Sequence, residues 1–279
     1  TTSTNSILSF NTDGFNIGNS GAFNANGDTY ASWSWKAGGS GVSNTDGSIT
    51  STVSANADTG FSIVSYTGTG SDGATVGHGL SSAPELAIIK GRDAGYPWMV
   101  MGYPTNTSFP NDGSFLTLST TDAMGNGTGS EISIGSSTMT FVDAGGNICE
   151  SSRDYIAYCF HSVDGYSKIG SYTGNGNADG TFVYTGFRPA FTMIKQSSGA
   201  GESWIMQDNK RSPQNVVVIE SEANNAATEY SSDTAAGYRI DYLSNGFKIR
   251  NTNVNWNESG STYIYMAFAE QPFKYSNAR

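Results

Sequence analysis

The sequence predicts an all-β chain of tandem antiparallel β-sandwich or jelly-roll-like modules. Three observations predict this class: a composition that disfavours helices, turn dipeptides at short intervals, and an internal repeat. Gly, Ser, Thr and Asn make up 45% of the 279 residues, and all four favour turns or strands over helix interiors. The 14 Phe, 15 Tyr and 5 Trp argue against a disordered chain, because disordered segments are poor in aromatic residues.

Turn dipeptides separate short apolar segments along the chain. Asp-Gly and Asn-Gly begin at Asp13, Asp46, Asp72, Asp112, Asp164, Asp179, Asn26, Asn126, Asn175 and Asn245. Both dipeptides suit the positive φ angles of tight hairpin turns and bulges. Turn signals spaced by roughly ten residues, with little helical periodicity, are typical of a sandwich or jelly roll.

An internal repeat runs through the chain at an offset of 105 or 106 residues. Tyr66-Thr67-Gly68-Thr69-Gly70 recurs as Tyr172-Thr173-Gly174-Asn175-Gly176, and a strand-like block that ends at Lys90 recurs with its end at Lys195. A closing block rich in aromatics occurs three times, at 29–35, 154–160 and 262–268, and each copy is predicted to be a strand. Several ordered blocks at one offset indicate duplicated modules.

The repeat predicts how the chain is divided. Residues 1–36 are the C-terminal half of a preceding module, because Phe10–Ile17 parallels Tyr242–Ile249 and is followed by the first closing block. Residues 37–60 are a linker with little core of its own, 61–165 form β module A, and 166–279 form β module B with a C-terminal tail. We expect the chain to extend N-terminally, or residues 1–36 to pair with another module or subunit.

Charge and cysteine content bound the class of protein. The formal net charge of −10 disfavours nucleic acid or an anionic membrane as the partner. The longest apolar stretches, such as 263–269, are far shorter than the roughly 20 residues that span a bilayer, so no membrane insertion is expected. Cys149 and Cys159 are predicted to be two thiols in or near a core strand, with one disulfide as the alternative.

The sequence predicts no enzyme and no cofactor. The aspartates mostly precede Gly in turns, the glutamates are dispersed, and no G-x-S-x-G motif is present. His78 and His161 are interpreted as structural or surface residues. Oxygen ligands in loops, for example at Asp72 or Asp179, leave a bound Ca²⁺ open, although the ligand spacing of an EF-hand is missing.

Aromatic residues in loops are the best indication of a ligand site. Trp98 and Trp204 occupy equivalent places after Gly-rich loops, and an exposed ring flanked by Asp and Arg is typical of a saccharide site. Core positions are the favoured interpretation of both rings, and exposed rings that bind a ligand are the alternative. The predicted ligand-binding residues are Arg92, Asp93, Tyr96, Trp98, Trp204, Asp208, Lys210 and Arg211.

Two blocks carry a resemblance to a known group of proteins. The first contains Phe10–Phe15 and Tyr30–Gly38, and the second contains Gly170–Gly176 and Thr185–Ala190. Both resemble repeat modules in virion structural proteins of tailed phages, notably phages of marine and cyanobacterial hosts, which are described as tail fibre or lectin-like proteins. The segment 266–275 is similar to the C-terminal end of such chains. Module A departs from this pattern, because it lacks the Asp-Gly-Phe string before its last strand.

The resemblance implies a place on the virion, outside the host cell. The function expected from it is adhesion to a host surface receptor, a glycan or a protein, by loops at one end of each module. Fibres of this kind are commonly trimeric, so a homo-oligomer that contacts other virion proteins is expected. Two alternatives remain: a structural decoration or scaffold protein of the virion, and a virion glycan hydrolase.

Overall fold

The computed structural model describes residues 6–93, 95–102, 109, 113–126, 131–231 and 239–272. The prediction of an all-β chain is confirmed, since 43% of the residues lie in strands and 4% in helices. The chain divides into two compact units, Thr1–Lys36 and Ala37–Arg279. The last seven residues of the predicted tail lie outside the described residues.

The first unit contains one hairpin and one short helix. Strands β1 (Ile7–Phe10) and β2 (Phe15–Ile17) pair antiparallel, and α1 follows at Gly21–Asn24. Residues 28–38 are all described and form no strand. The prediction that 29–35 is a strand is therefore wrong in this unit. The corresponding blocks in modules A and B lie between two other strands, and the described residues of this unit, 6–36, contain no such neighbours.

Residues 37–60 are part of module A, so the prediction of a linker is wrong. They form β3 (Val42–Asn44), β4 (Ser51–Asn56) and a 3-10 turn at Ala57–Thr59. The physical reason is the placement of two apolar side chains in a polar stretch. Ile49 and Val53 are 5% and 3% exposed within the core of module A, while Thr50 and Thr52 are exposed on the outer surface.

Module A contains nine further strands in two antiparallel sheets. They are β5 (Phe61–Thr67), β6 (Ala74–Gly77), β7 (Leu86–Gly91), β8 (Met99–Gly102), β9 (Ser114–Thr117), β10 (Gly125–Asn126), β11 (Glu131–Ile134), β12 (Thr138–Asp143) and β13 (Asp154–Phe160). The strand order is β10-β9-β8-β7-β13-β5-β4-β3 in the large sheet and β11-β12-β6 in the small one. One apolar core contains side chains of both sheets, among them Val64, Ala87, Ile132 and Met139.

Module B repeats these nine strands in the same order. They are β14 (Ser167–Thr173), β15 (Phe182–Tyr184), β16 (Pro189–Gln196), β17 (Ile205–Asp208), β18 (Ile219–Glu222), β19 (Tyr230–Ser231), β20 (Ile240–Leu243), β21 (Gly246–Ile249) and β22 (Thr262–Ala269), with α2 at Val254–Asn257. The sheets are β19-β18-β17-β16-β22-β14 and β20-β21-β15. In the described residues, module B thus matches β5–β13 strand for strand and has no counterpart of the β3–β4 hairpin.

The Tyr-Thr-Gly-x-Gly motif joins the first strand of each module to its closing block. Tyr66 stacks on Tyr155 with ring centroids 5.4 Å apart, and Tyr172 stacks on Tyr263 at 5.0 Å. The first glycine of each motif allows the chain to approach the turn that precedes the closing block. A Cβ at Gly68 or Gly174 would lie 2.4 Å from the backbone oxygen of Glu150 or Glu258, respectively. The second glycine adopts a left-handed φ, +68° at Gly70 and +65° at Gly176.

The two modules contact each other through their large sheets and the loops beside them. Phe160 of β13 meets Phe268 of β22 edge to face, with ring centroids 6.2 Å apart. Backbone hydrogen bonds also cross the boundary: Met124 donates to Ser197 and Gly201 donates to Thr121, both at 2.9 Å. The modules are therefore parts of one packed unit.

The cysteines and histidines have structural positions. Cys149 and Cys159 are buried thiols that form no disulfide with each other, and burial raises the pKa of Cys159 to about 12. Nδ1 of His78 accepts a hydrogen bond from the backbone of Leu80, and burial lowers the pKa of this histidine. His161 is 9% exposed. Within the described residues, no helix is long and apolar enough to cross a membrane.

Candidate functional site

Four of the predicted ligand residues lie together in module A. Arg92, Asp93, Tyr96 and Trp98 occupy the loop between β7 and β8. This loop lies beside the start of β13, because the Arg92 backbone donates a 2.7 Å hydrogen bond to the carbonyl of Asp154. The side chains of the residues just before β13 therefore lie beside those of the loop.

Charged groups of the loop and of the closing block form one surface cluster. The Tyr96 hydroxyl donates to Glu150, whose carboxylate also contacts Nε of Arg153 at 3.3 Å. Nη1 of Arg153 lies 3.9 Å from the carboxylate of Asp93. The hydrogen bond to Glu150 raises the pKa of Tyr96. This network holds the loop in place, although exposed ion pairs of this kind contribute little stability.

A polar cleft of about 260 Å³ lies next to this cluster on the large sheet. Its lining residues come from β3, β4, β5, β13 and the loop after β7, and most of them carry hydroxyl groups: Ser43, Thr50, Ser51, Thr52, Ser65, Tyr66, Thr67, Arg92 and Asp154. The Thr67 hydroxyl donates a 2.9 Å hydrogen bond to Oδ1 of Asp154. The cleft therefore combines one guanidinium, one carboxylate and a set of hydroxyls.

The β3–β4 hairpin explains why this cleft occurs in module A. Ser43 and Thr52 face each other across β3 and β4, and Thr52 lies opposite Ser65 on β5. In module B the large sheet ends at β14, so no hairpin extends the equivalent surface. The residues that the sequence analysis treated as a linker thus supply one wall of the cleft.

Trp98 is half-buried beside the loop cluster. Its ring stacks on Tyr158 of β13, with centroids 6.4 Å apart and planes 18° from parallel. Burial raises the pKa of Tyr158, and the nearby charge of Arg92 offsets a smaller part of this rise. The Trp98–Tyr158 pair therefore presents only part of its surface to solvent.

Trp204 is buried, as the core interpretation predicted, so the alternative of an exposed stacking ring is wrong for this residue. Its side chain is 1% exposed, and its indole N–H donates a 2.9 Å hydrogen bond to the Thr117 carbonyl of module A. The physical reason is the contact between the modules, which buries the Trp204 ring. The equivalent ring of module A, Trp98, is half-buried. Trp204 packs the modules together.

Asp208, Lys210 and Arg211 lie apart from the module A cluster, in a turn after β17. Oδ1 of Asp208 accepts hydrogen bonds from the backbones of Lys210 and Arg211, both at 2.9 Å, and Oδ2 lies 2.6 Å from Nε of Arg211. Burial works to raise the pKa of Asp208, but the hydrogen bonds and charge of Arg211 outweigh it, so the pKa is lowered. This pair stabilises its own turn.

The carboxylates considered for Ca²⁺ have protein partners. Oδ1 of Asp72 accepts the backbone N–H of Ala144 at 2.9 Å. Asp179 lies 3.0 Å from Lys248 and 2.9 Å from Arg250, and the hydrogen bond from Lys248 lowers its pKa. In the part of the chain that the structure describes, no three His, Cys, Asp or Glu side chains converge to hold a metal.

The side chains that line the cleft offer hydrogen-bond donors and acceptors. Its hydroxyls both donate and accept, Arg92 donates, and Asp154 accepts, which is the set that the hydroxyls of a small polar ligand require. Most residues of the cleft were not predicted from the sequence, among them Ser43, Thr52, Ser65, Thr67 and Asp154. The available signal was the alternation of Ser and Thr with apolar residues, which places hydroxyls on one face of each strand.

One protein family matches the chain over most of its length. The model of a family described as a domain of unknown function (DUF7483) matches residues 1–272. The matched range includes the block 1–36 as well as both modules. No curated protein and no solved structure matches the chain.

Proposed function

The chain belongs to the DUF7483 family, and we propose that it is an adhesion module of a phage virion fibre that binds a host surface glycan. The observation that carries the proposal is the hydroxyl-rich cleft of module A, with Arg92 and Asp154 in its lining. In this proposal the chain binds its ligand without transforming it. Its place is the virion surface, as a homo-oligomer, for which we favour a trimer.

The chemistry of the cleft supports a saccharide in preference to an apolar or strongly ionic ligand. A sugar presents adjacent hydroxyls that hydrogen-bond to carboxylate, guanidinium and Ser or Thr groups together. The Trp98–Tyr158 pair stands near Arg92 and supplies an apolar surface of the kind that packs on a sugar ring. One such site is weak, and an oligomeric fibre multiplies weak sites into useful avidity.

A second candidate, a structural protein of the virion, is favoured by a different observation. The first unit exposes large apolar side chains, among them Leu8, Phe10, Phe23 and Tyr30. Exposed apolar patches of this kind mark contacts with other proteins. In this alternative the chain binds neighbouring virion proteins, and the cleft has no ligand of its own.

The test is binding of the 279-residue chain to an array of bacterial surface oligosaccharides. We expect the wild-type chain to bind at least one of them. Arg92→Ala and Thr67→Val are each expected to weaken that binding about tenfold, because each removes hydrogen bonds to a charged or polar ligand group. Equilibrium titration by calorimetry or fluorescence checks the size of the loss.

Two variants in module B serve as controls. Thr173→Val alters the counterpart of Thr67 in β14, and Lys210→Ala removes an exposed cation of the other predicted ligand group; both should bind like the wild-type chain. Absence of binding to every oligosaccharide, or equal losses in Thr67→Val and Thr173→Val, would contradict the proposal. Binding of purified virion proteins in place of oligosaccharides would favour the structural alternative.

A further inference from the structure

The first unit and module B contain the same block in two different states of burial. With the Phe10–Ile17 string set on Tyr242–Ile249, Leu8 and Phe10 match Ile240 and Tyr242. Module B has one additional residue between the hairpin and the short helix, so that α1 is set on α2 and Phe23 and Tyr30 match Trp256 and Tyr263. The four side chains of the first unit are 57%, 79%, 43% and 51% exposed, and their four counterparts are 0%, 1%, 0% and 0% exposed. The same apolar positions form core in one copy and surface in the other.

Part of the local structure of the block is nevertheless the same. In the first unit the Tyr30 hydroxyl accepts from the backbone N–H of Ala25 at 2.9 Å and donates to the carbonyl of Gly21 at 3.1 Å. Tyr263 makes the equivalent bonds to Glu258 and Val254, at 2.8 and 2.5 Å. The hairpin keeps the pairing next to its turn, Phe10 with Phe15, but its register shifts between Ile7 and Ser9. The tyrosine, the short helix and the hairpin turn therefore already have the conformation of a closing half-module.

A specific segment covers this surface in module B. Tyr172 stacks on Tyr263 and donates its hydroxyl to the carbonyl of Trp256 at 2.8 Å. The two glycines of the motif, Gly174 and Gly176, donate backbone N–H groups to the carbonyls of Ser261 and Asn257, at 2.9 and 2.8 Å. Module A repeats this arrangement with Tyr66, Gly68 and Gly70 on its own closing block.

Strands on both sides complete the cover. In module B, β14 and β16 flank β22, and β15 pairs with β21 of the hairpin. In the first unit, β2 takes the place of β21, and residues 29–36 take the place of β22 without forming a strand. A strand needs neighbouring strands for its backbone N–H and C=O groups, and among the described residues of the first unit no strand flanks 29–36.

We propose that residues 6–35 are a docking surface for a donor half-module of this same repeat type. The occupant is a polypeptide with a strand that ends in Tyr-Thr-Gly-x-Gly, which stacks its tyrosine on Tyr30 and hydrogen-bonds to the carbonyls of Phe23, Asn24 and Asp28, the counterparts of Trp256, Asn257 and Ser261. Two further strands pair with β2 and with residues 29–35. In modules A and B the donor strands precede the closing block in the chain, so the test places the donor ahead of residues 6–35.

The test supplies this donor from the protein itself. A second copy of residues 166–231 is fused through a flexible linker ahead of Thr1 of the full chain, and amide hydrogen exchange is measured by mass spectrometry. We expect exchange in 7–17 and 29–35 to slow by at least about tenfold relative to the unfused chain, because these amides acquire sheet partners. Exchange in 240–249 and 262–268 should be slow in both proteins.

The control carries Gly174→Val in the added copy alone. The Cβ of this residue would lie 2.4 Å from the backbone oxygen at the position of Glu258, so docking should fail and exchange should equal that of the unfused chain. Equal protection by both fusions, or protection by neither, would overturn the proposal. An unfused chain that is already protected at 7–17 and dimeric by sedimentation would show that a second copy covers the surface, and this too would overturn it.

Discussion

Modules A and B have the same strand order but differ in what occupies equivalent positions of their large sheets. On β8 and β9 of module A, Met101 lies opposite Phe115. On β17 and β18 of module B, the equivalent pair is Gln207 opposite Glu220. Glu220 is 1% exposed, and neither of its carboxylate oxygens has a hydrogen-bond partner. An apolar pair in one copy is thus a buried polar pair in the other.

The difference shows which features the repeated fold requires. The stacked tyrosines and the close-approach glycines are the same in both modules, because they join the first strand to the closing block. Cross-strand pairs farther along the sheet differ in chemistry without a change of topology. A charged side chain at a buried position, such as Glu220, identifies a place where the two modules have diverged.

The largest expected effect concerns the polar pair of module B. Burial raises the pKa of Glu220 to about 8, with a further contribution from Glu222. In the unfolded chain the carboxyl ionises near pH 4.5, so the folded state binds more protons between these values and its stability falls as pH rises from 5 to 8. The free energy of unfolding of Glu220→Gln should therefore fall by up to about 4 kcal/mol less than that of the wild-type chain over this pH range. Urea unfolding at pH 5, 6.5 and 8 measures the difference.

A control for this prediction is Glu222→Gln. That variant removes the smaller contribution to the pKa of Glu220, so it should flatten the pH dependence only slightly. Identical slopes for Glu220→Gln and the wild-type chain would show that the carboxyl of Glu220 is ionised in the folded protein.

The next effect tests what the two modules share. Gly68→Ala and Gly174→Ala should each destabilise the chain by about 3 kcal/mol, because the new Cβ would lie 2.4 Å from a backbone oxygen that cannot easily move. Gly95→Ala is the matched control, since nothing lies within 4 Å of a Cβ at that position. Thermal unfolding measures the difference. A small destabilisation by Gly68→Ala together with a large one by Gly174→Ala would show that this close approach stabilises module B alone.

The smallest effect concerns one backbone position of the closing block. Ser152 has a left-handed φ of +62°, whereas its counterpart Gly260 has +81° and that of the first unit, Gly27, has +89°. A side chain in this region costs about 1 kcal/mol. We therefore expect Ser152→Gly to stabilise module A by about 1 kcal/mol and Gly260→Ser to destabilise module B by as much, in urea unfolding. Changes of the same sign in both variants would contradict the equivalence.

Much of the fold could be predicted from the sequence because its signals are local or repeated. The Tyr-Thr-Gly-x-Gly motif requires its glycines for a left-handed turn and a close approach, so the motif survives duplication in recognisable form. The site was less predictable. Arg92, Asp93, Tyr96 and Trp98 are neighbours in sequence and were identified as a group, but their partners Glu150 and Asp154 lie more than fifty residues away, where only strand pairing brings them.

The amino-acid sequence by itself determined the β class, the order of the repeated blocks and the structural character of the cysteines and histidines, since these follow from composition and spacing. Tertiary structure decided the rest. It assigned residues 37–60 to an edge hairpin that builds one wall of the cleft, and it buried Trp204 between modules while leaving Trp98 half-open at the equivalent position. It also left residues 29–35 without strand structure. In each case the outcome depends on which distant strand lies alongside, a contact that local sequence does not encode.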